Sequence, residues 1–532
     1  MVNSVRLPKL PRFVAPLLTG LLLSLAMPGR FGWWPLAFVA LVPLLQSALD
    51  LPPRRSCLHG LAAGFLYHLA LLYWIIIVLG RYGGIPLFLS LPALLLLALY
   101  MGLYMGVFCG LVGLLVGKYW DHERSAMPLL VWSAPIVWVG LEWLRGRLFT
   151  GLPWMDLGYA LYRQTRLIQA ADLGGHHLLS FCIVMANALI VGMISGGKHG
   201  SQGRPLCTGG RRVVLFACCA LVFTVGYSFT RYRQVEMGMR RCLRAGITVV
   251  QGNIAQDAKW TGAWRQKTVD TYLDLSSRAL ERNITELVVW PETALPFYPS
   301  RNPLFDDVVH LAVSKNIFLI TGSPWIETDG STKGEAAAAR YYNSALLVTP
   351  QGRLGGRLDK RHLVPFGEYV PLRRYLPFFE PLVESVGDFT AGKPAPPLTA
   401  GSIRAGTLIC FESIFPDIAR SFTAEGANLL VGITNDAWYG RSSAPVQSLA
   451  MSVLRAVENR RGLVRAANTG ISAIVDPLGN LRHETRLFET AFLSATLPLM
   501  TEKTLFVRFG HHFGAVCFSL ILPLLLCRRA MS

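Results

Sequence analysis

Three residues of complementary chemistry stand just past β-rich runs. Glu292 follows VVWP, Lys360 lies inside LDKRHLVPFGEYVP, and Cys410 closes GTLIC. Loops beyond strand ends are where α/β folds place reacting groups. A thiolate is a strong nucleophile, but a free cysteine, with a pKa near about 8.5, is mostly protonated at neutral pH. A neighbouring carboxylate can take that proton. A neighbouring ammonium favours the thiolate and stabilises the oxyanion on an attacked carbonyl. The chemistry so described is nucleophilic attack by sulfur on a carbonyl. Taken singly, each residue has an ordinary alternative: a cysteine on a strand is commonly core, and a glutamate or lysine is commonly solvated surface.

The elements that must hold these groups read as an α/β domain beginning near Arg241. Strands are expected at 245–251, 286–290, 317–321, 403–410 and 428–433, with a closing pair at 462–467 and 471–475. A hairpin is expected from 342–348 to the segment after Gln351. Helices are expected at 264–282, with Val269, Tyr272, Leu273 and Leu280 on one face, and at 414–424 and 447–460. The segment 391–397 (AGKPAPP) is a Pro-rich loop.

The rest of the chain is far more apolar. Only 16% of the 532 residues are charged, against about 25% in soluble domains. Uncharged runs near the length of a membrane span cover 13–27, 31–49, 57–80, 82–117, 127–141, 176–197, 213–230 and 509–527. In the run 82–117, too long for one upright helix, Pro86 and Pro92 mark candidate starts. The net charge of +19 fits nucleic acid or an anionic membrane surface, and the apolar runs decide for the membrane. With the N-terminus in the cytoplasm, Arg54, Arg55, Lys118, Arg124, Lys198, Arg204, Arg211, Arg212, Arg528 and Arg529 fall inside, as the positive-inside rule requires. The third outer loop, with Arg145, Arg147, Arg163 and Arg166, departs from the rule and is expected to be partly ordered. The organisation expected is a membrane domain over 1–231 with about seven spans, a catalytic domain over 232–508, and a final span with a short tail over 509–532.

His68 falls mid-span, where packing or hydrogen bonding is expected. His511 and His512 open the last span, where interfacial anchoring is expected. The ten cysteines show no CxxC and no metal spacing, and those in apolar runs read as small buried hydrophobes. No His/Cys cluster stands at zinc spacing, and no Gly-rich phosphate loop is present. No metal or cofactor is expected.

The matching stretches WWPLAFVALVPLL (33–45), EWLRGRLFTGLPW (142–154), VVQGNIAQDAKW (249–260), VVWPETALP (288–296), LDKRHLVPFGEYVP (358–371), LICFESIFP (408–416), TNDAWYG (434–440) and RAANTGISAIVDPLG (465–479) resemble the apolipoprotein N-acyltransferases, the membrane-bound branch of the nitrilase superfamily. The resemblance runs nearly full length. It implies a multi-span helical bundle carrying an αββα nitrilase-like sandwich on the outer face of the bacterial inner membrane, and a catalytic triad at Glu292, Lys360 and Cys410. Glu368 and Glu412 match supporting acidic positions. Phe411 stands where some relatives have Tyr, and Trp260 and Asn343 match positions near the site or its loops. The resemblance implies ping-pong acyl transfer, with a phospholipid as donor, a thioester on Cys410 and a diacylated apolipoprotein as acceptor. A monomer in the lipid bilayer is expected, without nucleic acid. Arg373, Arg374, Phe378 and Phe379 suit an interfacial lid. Trp438 and Tyr439 suit either the acyl entrance or the core. Two departures stand out: Ser448 where the family has His, and Arg460 where ENGR would place Gly. The rival readings are a membrane-tethered amidase using water as acceptor and a non-catalytic scaffold. The membrane-part matches oppose the first, and the intact trio opposes the second.

Overall fold

The computed structural model describes residues 14–120, 126–196, 208–256, 262–328, 339–371 and 389–531. The chain divides into two compact units, with boundaries at Tyr232/Arg233 and Gly510/His511.

The first unit is helical. Among the described residues, four helices are long and apolar enough to cross a membrane: Leu87–Gly117, Met127–Arg145, His176–Ile194 and Gly210–Arg241. Pro53–Leu71 and Ile75–Tyr82 make a fifth if taken as one span, bent by 52°. The runs at 13–27, 31–49 and 509–527 form the shorter apolar helices Val14–Ala26, Trp34–Asp50 and His512–Cys527. Pro86 precedes the first residue of the helix Leu87–Trp120, and Pro92 lies within it. Leu215, Phe216, Val222 and Phe223 are each at least 62% exposed, a face that a hydrocarbon solvent covers and water does not tolerate. Cys218, Cys219 and Cys527 are likewise exposed, so burial as small hydrophobes holds for Cys109 and Cys517 but not for these three. Such positions are apolar because their surroundings are.

Lipid supplies no hydrophobic drive between helices, so close packing must come from small residues. Pro53–Leu71 and Leu87–Trp120 meet through glycines. A Cβ on Gly60 would lie 2.3 Å from the Met105 carbonyl oxygen, and one on Gly64 would lie 2.8 Å from the Gly102 Cα. Gly60→Val should therefore lower the unfolding temperature in detergent by several degrees, the scale of an overpacking cost of about 1–3 kcal/mol. Gly226→Val, with open space around it, should leave the temperature unchanged. Equal effects would contradict this packing.

The segment expected as the third outer loop is ordered. Arg145 forms a buried ion pair with Asp156, and Leu157–Leu161 is a buried 3-10 turn. His68 is hydrogen-bonded, from Nδ1 to the Gly64 carbonyl at 2.8 Å, with its Nε2 3.4 Å from Arg145 Nη1. His511 is buried and stacks on His177, contrary to the anchoring expected of it, whereas His512 is exposed.

The second unit holds two six-stranded sheets. In chain order the strands are β1 Arg244–Gln251, β2 Leu287–Val289, β3 Phe318–Thr328, β4 Ala339–Val348, β5 Leu354–Asp359, β6 Leu398–Ala400, β7 Ile403–Ile409, β8 Leu429–Thr434, β9 Gly462–Ala467, β10 Ala473–Val475, β11 Leu481–Glu484 and β12 Ala491–Pro498. The sheet orders are β12-β1-β2-β3-β4-β5 and β11-β10-β9-β8-β7-β6. Each has a parallel centre, β1-β2-β3 and β7-β8-β9. The helices Gly262–Arg282 and Leu304–Ser314 serve the first sheet, and their Val269, Tyr272, Val308 and Leu311 share a core with Val288, Trp290 and Leu319. Pro416–Ala424 and Ala444–Asn459 serve the second. Gln251 of β1 accepts hydrogen bonds from Ser472 and Thr485, joining the sheets into an αββα sandwich.

Candidate active site

The site forms where strands of both sheets end. Glu292 lies three residues beyond β2, Lys360 directly follows β5, Cys410 directly follows β7, and Asn435 directly follows β8. Central strands of this kind carry apolar residues on both faces, so polar groups collect where the pairing stops.

Cys410 occupies the elbow between β7 and the 3-10 turn Cys410–Ile414, with φ of 54°. A left-handed conformation at a residue with a Cβ is costly and persists only where its surroundings impose it. Glu412 does so. Its carboxylate accepts from the backbone N–H of Ile409 at 2.8 Å, of Arg361 at 2.7 Å and of His362 at 3.2 Å. One buried side chain thus ties the cysteine elbow to the lysine loop. Burial raises the Glu412 pKa, and the three N–H donors and Lys360 offset only part of that. Glu412→Gln replaces one acceptor oxygen with a donor facing an N–H. It should destabilise the chain by about 2–4 kcal/mol, the scale of lost hydrogen bonds to a charged group, and reduce turnover with it. Unchanged unfolding temperature and turnover would contradict the clamp.

Lys360 is 1% exposed and Glu292 6%. The lysine Nζ lies 3.8 Å from Glu292 Oε1 and donates to Glu368 at 2.9 Å. Asn343 of β4 joins the two carboxylates, donating from Nδ2 to Glu292 at 2.8 Å and to Glu368 at 3.0 Å. Val364 N–H holds the other oxygen of Glu368 at 2.9 Å, and Asn435 N–H holds Glu292 Oε2 at 2.8 Å. The Pro-rich loop joins in, since Gly392 N–H donates to the Lys360 carbonyl at 2.8 Å. Burial alone would favour neutral lysine. Glu368, Cys410 and Glu292 outweigh it and hold the ammonium well above its ordinary pKa.

The thiol behaves in the opposite sense. Burial first, then the Glu292 carboxylate, push the Cys410 pKa up to about 12, against the pull of Lys360 and of the Thr434 hydroxyl. The resting group is the thiol, beside a carboxylate able to accept its proton. Because its pKa is raised, the thiolate fraction should grow by about tenfold per pH unit through the neutral and alkaline range. Alkylation of Cys410 by iodoacetamide should follow that slope from pH 7 to 10. A rate flat across this window would contradict a raised pKa.

The structure brings Glu292, Lys360, Cys410, Glu368, Glu412 and Asn343 together. Phe411 packs beside them against Phe415 and His362, with ring centroids at 5.2 and 5.8 Å. Trp438 and Tyr439 lie in the half-buried turn Asp436–Tyr439 that follows β8, and Tyr439 lies close enough to Cys410, Asp436 and Glu292 to interact with them electrostatically. Trp260, Arg373, Arg374, Phe378 and Phe379 lie outside the described residues.

Several residues near the site were not foreseen. Asn435 holds Glu292 through its backbone and is itself held by Gln256 at 2.7 Å and Asn468 at 3.1 Å. Asp436 accepts from Thr434 at 2.7 Å and from the wholly buried Arg465 at 2.8 and 3.1 Å. The segment TNDAWYG carries Thr434, Asn435 and Asp436 next to the aromatic pair that drew attention to it. The two departures also find places. Ser448 accepts from Arg465 at 3.1 Å, and Arg460, at φ 51°, forms the left-handed C-cap of Ala444–Asn459 and donates to the Pro477 carbonyl at 3.1 Å. The cap conformation is the one glycine adopts most readily.

Comparison with known proteins follows the same division. Residues 19–189 match the apolipoprotein N-acyltransferase N-terminal domain, and residues 246–504 match the carbon-nitrogen hydrolase family. An apolipoprotein N-acyltransferase of Geobacter metallireducens is 40% identical over 95% of this chain and 93% of its own. Its counterpart in Pseudomonas putida is 31% identical over 92% of each. That of Chlorobaculum tepidum is 29% identical over 96% of this chain and 95% of its own. With both of its parts matched and relatives aligned nearly end to end, the chain belongs to the apolipoprotein N-acyltransferase family.

Proposed function

We propose that this enzyme moves a fatty acyl chain from a phospholipid to the free α-amine of the diacylglyceryl-cysteine at the N-terminus of an apolipoprotein, carrying it as a thioester on Cys410. The observation that supports this most is the meeting of a thiol, a carboxylate and an ammonium at strand ends, in a chain whose other unit is built of apolar helices.

Glu292 takes the proton of Cys410 as the sulfur attacks the ester carbonyl carbon. The carbonyl electrons move to oxygen, and the Lys360 ammonium stabilises that oxyanion. The intermediate collapses, the ester C–O bond breaks, and Glu292 returns its proton to the departing lysophospholipid alkoxide. A thioester remains. The acceptor amine attacks it and gives a proton to Glu292, and the C–S bond breaks. The thiolate recovers its proton from Glu292 as the amide product leaves. Glu368 and Asn343 act as positioning residues, fixing Lys360 and Glu292.

Both substrates are lipid-anchored, which explains the membrane unit: confinement to one plane raises their effective concentration. The excess of Arg and Lys in the loops read as inner supports a position of residues 232–508 on the outer face of the cytoplasmic membrane. In this reading Arg373 and Arg374 meet phosphates, Phe378 and Phe379 dip into lipid, Trp260, Trp438 and Tyr439 line the acyl path, and the chain works as a monomer.

The test is incubation of the full chain with phospholipid vesicles and a diacylated lipopeptide. Lysophospholipid and N-acylated lipopeptide should form in equal amounts. Free fatty acid with unmodified lipopeptide would mean water is the acceptor, and a hydrolase would replace this reading.

A further inference from the structure

Three histidines that the mechanism does not use converge inside the helical unit. His176 and His177 open the helix His176–Gly196, and His511 immediately precedes His512–Met531. They are 0%, 1% and 8% exposed. Ring centroids lie 4.3 Å apart for His176–His177, 4.4 Å for His177–His511 and 5.4 Å for His176–His511. One ring nitrogen from each lies within 4.8 Å of the others.

The surroundings resemble the outer shell of a metal centre. Asp156 Oδ2 lies 2.7 Å from His176 Nε2 and 3.4 Å from His177 Nε2. A carboxylate that accepts a proton from one ring nitrogen fixes the tautomer and leaves a lone pair on the other, the usual support for a ligating histidine. Asp156 is fixed in turn by Arg145. Glu142 is held by Leu157 N–H and the Trp138 indole, both at 2.8 Å. It forms a second close group with Asp156 and His177. The Arg145 guanidinium opposes a cation here, and Asp156, paired to it through one oxygen, turns the other to the rings.

We propose that His176, His177 and His511 bind one divalent transition-metal ion of the zinc class, with Asp156 as their outer-shell acceptor. Neutral imidazole is the ligand form and suits this class of ion. Three nitrogens each about 2.0–2.1 Å from one ion in a tetrahedral set lie about 3.4 Å apart, so loading draws the ring nitrogens in by up to about 1.4 Å and turns the stacked His177 and His511 rings, 7° from parallel, until their in-plane lone pairs converge. Three protein ligands leave a fourth position open. The ion clips the start of one apolar helix to the start of the last. It is remote in sequence from Cys410, and its role is structural.

The experiment uses the full chain, purified in detergent through a tag free of histidine, stripped with chelator and loaded with Zn²⁺ or Co²⁺. Elemental analysis should find about one zinc per chain, and the cobalt form should show the visible d–d bands of low-symmetry coordination. Zn²⁺ should raise the unfolding temperature. H177A and H511A should each abolish the bands and the shift, while H512A and the C218S/C219S pair keep both. If the unaltered chain gives no cobalt bands and no zinc-dependent shift, the cluster is a hydrogen-bonded one and the proposal fails, whatever the variants do. Bands that persist in H177A and H511A overturn it equally.

Discussion

Cys410→Ala should abolish acyl transfer, by about 10⁵-fold or more, the scale on which loss of a covalent nucleophile acts, while unfolding stays within about 1 kcal/mol of the parent, as for a substitution that breaks no buried network. Cys410→Ser should be nearly as inactive. A hydroxyl in the same elbow is far less acidic than the thiol, and Glu292 cannot deprotonate it usefully. Glu292→Gln keeps the shape of the group that Asn343 and Asn435 hold but removes the base, which should cost about 10²–10⁴ in turnover. Steady-state rates with vesicles and lipopeptide decide the matter. A Cys410→Ala chain that retains even a few per cent of activity would remove the thioester from the mechanism.

The second large effect belongs to Lys360, to which the proposed mechanism gives two roles that separate cleanly. Lys360→Met removes the ammonium facing the developing oxyanion, worth about 10²–10³ in turnover. It also leaves Glu368 and Glu292 buried without their cation, and breaking such a pair from one side costs about 3–5 kcal/mol. Adding Glu368→Gln removes part of the stranded charge. The double variant should therefore recover much of the stability and none of the activity. Recovery of both together would make the lysine a scaffold residue.

The reactive trio was legible because each member closes a strand-like run: VVW before Glu292, RLD before Lys360 and TLI before Cys410. What was not legible acts through the backbone or over long range. Asn435 contributes its N–H, which no side-chain pattern betrays, and the Arg465–Asp436 pair joins residues that only the parallel β8-β9 register brings together. Arg455, Glu458, Arg460 and Arg461 are almost wholly buried, although a sequence reading assigns charged residues to solvent. Among the strands, β1, β7, β8 and β9 were expected nearly to the residue, but β6, β11 and β12 were not. β12 is half-exposed along most of its length, and β6 and β11 are short edge strands, too short for a period to stand out. The helix Leu304–Ser314 also escaped notice. In the helical unit the glycines of Pro53–Leu71 and Leu87–Trp120 sit inside apolar runs, and their meaning lies in the partner helix.

The most direct test of the account is to incubate the full chain with phospholipid vesicles alone and to locate any acyl group by intact-protein and peptide mass spectrometry. One acyl chain should sit on Cys410, and a diacylated lipopeptide should then remove it and carry it on its amine. An active preparation that shows no acyl group on Cys410, or an acyl-enzyme that the lipopeptide cannot discharge, would contradict the account at its centre.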